Sequence, residues 1–208
     1  MYIRNLRKPS PNKNIYKFSS IKNQDVVMCE GSLEKDCCYH FEYDPDVVQY
    51  ASQPEGFYYD FNGKKRSYTP DFLVNYHDGT FEYVEVKPHS KTLSKTFKQE
   101  FSARKEAASQ KGFGLVLVTD KQIRDGYFLK NTELVHRYSG CIVGDELTIK
   151  VYSYLIAQNT MKIRDLADLI GESVGRVFAS VLRLIAVGKA GVDLDIAKLS
   201  ESTTVSVI

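Results

Sequence analysis

The sequence predicts a mixed α/β fold, a central sheet flanked by helices, followed by a small winged-helix-like C-terminal domain. Three observations predict it. Between residues 31 and 118, helix-period and strand-period hydrophobic patterns follow one another as helix, hairpin strands, helix and buried strand. The stretch His77-Asp78-Gly79-Thr80 joins two strand-like runs with residues suited to a tight hairpin turn. The texture then changes: of 25 Phe and Tyr, only Tyr152, Tyr154 and Phe178 lie after residue 147.

Each element has its own signal. Residues 31–41 read as a helix because Leu33, Cys37, Cys38 and Phe41 recur at helical spacing. Extended stretches follow at 47–51, 57–61 and 66–76. Residues 81–87 form the next strand, stopped by Pro88. Residues 92–111 read as a helix closed by Gly112, and 115–118 is a wholly apolar run of the kind buried on both sheet faces. Glycines at 140 and 144 mark a boundary, giving domains 1–147 and 148–208. In the second, helices are expected at 149–157, 163–170 and 172–187, the last with Val174, Val177, Phe178, Val181 and Ile185 inward. Gly171 suits a helix-turn-helix, and 188–192 with 203–208 supply the strands of a wing.

Composition excludes several classes. With 43% hydrophobic and 26% charged residues the chain is neither disordered nor a coiled-coil rod. No apolar stretch approaches the ~20 residues that span a bilayer. The basic start is not followed by an apolar run, so no secretory signal is expected. Cys29, Cys37, Cys38 and Cys141 form no Cys-x-x-Cys pair, and His40, His77, His89 and His136 are scattered, which argues against zinc. Free thiols fit a reducing cytoplasm.

Chemistry concentrates in Tyr68-Thr69-Pro70-Asp71-Phe72-Leu73-Val74 and, after the turn, Tyr83-Val84-Glu85-Val86-Lys87. Side chains alternate along a strand, so Asp71 lies opposite the Phe72, Val74, Tyr76 face, and Glu85 and Lys87 oppose Val84 and Val86. The hairpin brings two carboxylates and an ammonium to one sheet face. Adjacent carboxylates repel unless a cation relieves them. Mg²⁺ does so, takes oxygen ligands, and can generate hydroxide beside a phosphoryl group. Glu34 on the preceding helix adds a third carboxylate, and Lys87 can orient the attacking water. An isolated Glu-x-Lys is most often a solvated ion pair. The joint pattern is what favours chemistry.

These residues resemble those of the PD-(D/E)xK restriction-endonuclease-like nucleases. Gly31-Ser32-Leu33-Glu34, Tyr43-Asp44-Pro45-Asp46-Val47-Val48-Gln49-Tyr50, Gln53-Pro54 and Tyr68-Thr69-Pro70-Asp71 look like the TnsA endonuclease family. The likeness covers roughly residues 25–120, and a similar two-domain plan extends it. It implies a restriction-endonuclease-like fold and an Mg²⁺-dependent endonuclease (one or two ions, Mn²⁺ substituting) cutting the 5′-end strand at transposon ends. Its implied partners are double-stranded transposon-end DNA, a TnsB-like transposase and a TnsC-like ATPase of bacterial transposons, CRISPR-associated ones included. Carried over, Glu34, Asp71 and Glu85 are metal ligands with the Val86 carbonyl, and Lys87 is the catalytic lysine. Some TnsA-like proteins carry glutamine at the Glu85 position; this chain keeps the acid. Gln53 is a candidate for the site's edge.

The net charge of +2 hides an arrangement. Residues 25–60 hold nine acids against Lys35 alone, and 87–111 hold seven Lys or Arg against Glu100 and Glu106. Lys91, Lys95, Lys98, Arg104 and Lys105 are therefore expected phosphate contacts, the alternative being a solvated helix face. A basic N-terminal segment (Arg4, Arg7, Lys8, Lys13, Lys17, Lys22) is interleaved with Tyr2, Tyr16 and Phe18, suited to nucleic acid or a partner protein. The third helix of the second domain exposes only Arg176 and Arg183, which favours protein docking over base reading. Two rivals remain: a stand-alone restriction- or repair-type nuclease, and a non-catalytic assembly module on a nuclease scaffold.

Overall fold

The structure, a computed structural model, describes residues 14–140 and 144–208. Arg4, Arg7, Lys8 and Lys13 of the expected basic segment, with Tyr2 and Cys141, lie outside the described residues. The chain divides into two compact units, one ending at Arg124 and the other running from Asp125 to Ile208. The division falls before the expected residue 147, because a helix not foreseen from the sequence belongs to the second unit.

The first unit begins with a hairpin, β1 (Tyr16–Ser20) and β2 (Asp25–Cys29), paired from Tyr16↔Cys29 to Ser20↔Asp25. Helix α1 (Ser32–Tyr43) follows, then β3 (Val47–Ser52), β4 (Phe57–Phe61) and β5 (Lys64–Tyr68). Next come β6 (Phe72–Tyr76) and β7 (Phe81–Lys87). A 3-10 turn (His89–Lys91) leads to α2 (Lys95–Ser109), β8 (Gly114–Thr119) and the short α3 (Asp120–Ile123).

The central sheet has the order β3-β6-β7-β8, antiparallel except for the parallel β7–β8 pair. A parallel pair needs a crossover, and α2 provides it. The Ser94 side chain starts α2 by accepting from the Phe97 N–H at 3.1 Å. Gly112, at φ 84°, lets the chain turn back after it. The stretch expected as one strand over 66–76 is two, β5 and β6. Pro70 lies between them and has no N–H for a ladder, so the chain changes sheets there.

Both faces of the sheet are covered. On one, Phe41 of α1 meets Phe72 with ring centroids 5.2 Å apart. On the other, Phe57, Tyr59, Phe61 and Tyr68 of the β4–β5 hairpin and Ala108 of α2 pack with Tyr83 and Leu115. This is the mixed sheet flanked by helices expected of a restriction-endonuclease-like fold.

The β1–β2 hairpin replaces part of the expected basic tail. Buried Glu42 of α1 holds it through Ser20 Oγ at 2.6 Å and the Ile21 and Lys22 amides at 2.7 and 3.1 Å. The Lys22 ammonium is spent on the Asp44 and Val47 carbonyls, so it belongs to the fold rather than to a free cationic segment.

The second unit contains α4 (Phe128–His136), α5 (Glu146–Gln158), β9 (Thr160–Lys162), α6 (Ile163–Ile170), α7 (Val174–Ala186), β10 (Ala190–Gly191) and β11 (Thr204–Val207). Its strands form an antiparallel sheet in the order β10-β11-β9. Val151, Leu155, Ile163, Leu166, Val177, Val181, Leu184 and Val205 make its core. Gly171, at φ 75°, joins α6 to α7. Buried Asn131 on α4 donates to the Leu194 and Ala197 carbonyls and accepts from the Leu199 N–H at 3.0 Å, tying α4 into this unit.

Candidate active site

The ladder builds the site. β6 and β7 pair with Phe72 opposite Val84, and one further step brings Asp71 level with Glu85. Asp71 Oδ2 accepts from the Val86 N–H at 2.7 Å. Gln53, just past β3, donates its backbone N–H to the Asp71 carbonyl at 2.8 Å, and its side-chain amide lies 3.5 Å from Asp71 Oδ1. Gln53, the residue expected at the edge of the site, therefore lies beside Asp71.

Glu85 is only 3% exposed. The Tyr68 hydroxyl donates to its Oε2 at 2.7 Å, and the Lys87 ammonium donates to its Oε1. Arg104 Nη1 lies 3.8 Å from that same Oε1. Asp71, Glu85 and Lys87 thus come together as the alternation rule predicted. The face they share, however, is roofed by the β4–β5 hairpin and α2.

Glu34, in the first turn of α1, accepts from the Glu30 N–H at 2.8 Å through Oε2. Burial pushes its carboxyl up against that hydrogen bond, and the charges of Glu30 and Glu85 add to the rise. Asp71 is driven harder. Burial first, then Glu85 and Glu34, pushes it up to about 8, opposed by the Val86 N–H and Lys87. The three carboxyls therefore feel one another.

Among the described residues, no three His, Cys, Asp or Glu side chains converge closely enough to hold a metal ion. Glu85 turns Oε1 to Lys87, and Glu34 turns Oε2 to the Glu30 amide. The donor chemistry nonetheless fits a hard divalent cation: oxygen donors only, with mutual repulsion that a cation would relieve. Asp71, raised first by burial and then by the charges of Glu85 and Glu34, is the observation behind that fit.

The expected phosphate contacts divide into two groups. Lys91, Lys95, Lys98 and Lys105 are exposed on the 3-10 turn and α2. Arg104 is not: its side chain is 17% exposed and faces inward toward Glu85 and Glu100. Tyr68, Tyr59 and Glu100 were not foreseen as neighbours of the site. The Glu100–Arg104 spacing of four was legible as a helix pair, but its reach to Glu85 depends on how α2 packs.

Residues 44–120 match the family described as TnsA-like endonuclease N terminal. This segment is TnsA-like. It contains Gln53, Tyr68, Asp71, Glu85, Lys87 and Arg104, while Glu34 precedes it. The TnsA-like match supports the recognition made from the sequence and suggests a nuclease of the transposase type. No curated protein matches the chain. No helix among the described residues is long and apolar enough to cross a membrane.

Proposed function

We propose that this chain is the metal-dependent DNA endonuclease subunit of a heteromeric bacterial transposase, cutting the 5′-end strand at transposon ends in the cytoplasm. The observation that carries the reading is Asp71 beside Glu85 and Lys87 on paired strands, inside the TnsA-like segment. Asp71, Glu85, the Val86 carbonyl and Glu34 would hold one or two Mg²⁺ ions, with Mn²⁺ as substitute. Bound there, the ion would supply positive charge that polarises a phosphodiester and makes water more acidic. Lys87 orients the attacking water and offsets phosphate charge. Lys91, Lys95, Lys98 and Lys105 grip the DNA backbone.

The second unit is read as a winged-helix-like module that docks on protein. Its last helix, α7, has little to offer a DNA groove, since Arg176 pairs with Glu172 at 2.7 Å and Arg183 with Asp145 at 2.8 Å. A TnsB-like transposase and a TnsC-like ATPase are the partners this reading requires.

Cleavage of transposon-end duplex, reconstituted with those partners and Mg²⁺, tests the assignment. Asp71→Ala and Lys87→Ala should each lower cutting by roughly 10²- to 10⁴-fold while leaving the fold intact. Full cutting by Asp71→Ala would sink the site. Efficient cutting by the chain alone would favour a stand-alone nuclease, and absence of Mg²⁺ or Mn²⁺ binding a non-catalytic scaffold.

A further inference from the structure

We propose that Tyr68 and Arg104 are positioning residues that fix the Glu85 carboxylate, and that Arg104 acts from inside the fold rather than on DNA phosphates. This rests on the endonuclease reading above. A glutamate carboxylate has a free terminal torsion and presents its lone pairs in many directions. Here both oxygens are held. Buried Tyr68 donates to Oε2 at 2.7 Å, and Oε1 faces Lys87 and, at 3.8 Å, Arg104.

Arg104 is itself fixed from four sides. Its guanidinium lies 4.5 Å from the Tyr68 ring centroid and 5.3 Å from that of Tyr59. Nη2 lies 3.2 Å from Glu100 and Nη1 faces Glu85. Glu100 also accepts from the Tyr59 hydroxyl and, at 3.1 Å, from Arg66. The Arg104 Nε is buried without an acceptor among the described residues. Its placement is owed to the two rings and two carboxylates, a task suited to a planar guanidinium and not to an ammonium. Tyr68 links both halves: its hydroxyl holds Glu85 and its ring carries Arg104.

Groups that orient a metal-ligating carboxylate typically change metal affinity 10- to 100-fold when removed. Mn²⁺ titration calorimetry on the full chain, together with metal-free duplex-DNA binding across a salt series, separates orientation from DNA contact. Tyr68→Phe and Arg104→Gln should each weaken Mn²⁺ binding by roughly 10- to 100-fold, with DNA affinity and its salt slope unchanged. Lys98→Ala should lower that slope by about 1, as loss of a phosphate contact does. A reduced slope for Arg104→Gln with unaltered Mn²⁺ affinity would overturn the proposal. So would Mn²⁺ binding by Tyr68→Phe as tight as in the unsubstituted protein; this variant removes one oxygen and carries the test if Arg104→Gln fails to fold. Absence of Mn²⁺ binding by the unsubstituted protein would instead bring down the endonuclease reading, and this proposal with it.

Discussion

Asp71 is a half-buried acid whose nearest charges are mostly other acids, and that sets a pH dependence opposite to the usual one. Its folded carboxyl titrates at about 8, against an ordinary value of 3.8. The folded state therefore holds a proton that the unfolded chain releases. Asp71 favours folding below pH ~4, and that contribution is lost as pH rises toward ~8, by at most about 1.4 kcal/mol per pH unit. Asp71→Asn keeps the uncharged form at every pH. Thermal unfolding without metal should show the variant gaining on the parent protein from pH 5 to 8; a constant difference would contradict the assigned burial and repulsion. At this scale the sequence was informative where chemistry is local. Asp71, Glu85 and Lys87 follow from strand alternation and one turn. Arg104 looked like one more cation of a basic helix, because nothing within its own turn reveals Tyr68 or Glu85.

The β4–β5 hairpin shows how an element can set a site it does not contain. Gly56 enters it with no room for a side chain: a Cβ would lie 2.6 Å from the Tyr68 carbonyl oxygen and 2.7 Å from Thr69 Oγ1. The carbonyl is backbone and cannot swing away. Gly56→Ala should cost about 1–3 kcal/mol in denaturant unfolding and, by displacing Tyr68, also weaken Mn²⁺ binding. Unchanged stability would show that the hairpin gives way freely. Turn chemistry at Asp78-Gly79 and the periodicity of α1 and α2 were readable because each signal lies within a few residues. The β1–β2 hairpin was not. A two-stranded hairpin is marginal alone, and this one is secured by Glu42, some twenty residues further along the chain.

At the scale of the molecule, the two units part after Arg124, and α4 decides where. Leu194, Ala197 and Leu199 offer backbone groups to Asn131, and a fragment beginning at residue 148 would leave them without that partner. Each such loss costs about 1–3 kcal/mol when the group stays buried. A 125–208 fragment should unfold cooperatively by circular dichroism, whereas 148–208 should melt far lower or without a sharp transition. Equal stability of the two would remove α4 from the unit. The change in aromatic content near residue 147 marked a real difference in texture, but texture follows composition and a boundary follows packing. By itself, the sequence determined the succession of α1, the β6–β7 hairpin, α2 and β8, the turn that pairs β6 with β7, and the three residues at the centre of the candidate site. Those depend on hydrophobic period and backbone preference over a handful of positions. Only the tertiary structure decided that the site's face is roofed, that Arg104 faces inward, that Glu42 secures the first hairpin and that α4 joins the second unit. Each of these is a contact between residues far apart in the chain, fixed by how whole elements bury their surfaces rather than by any local pattern.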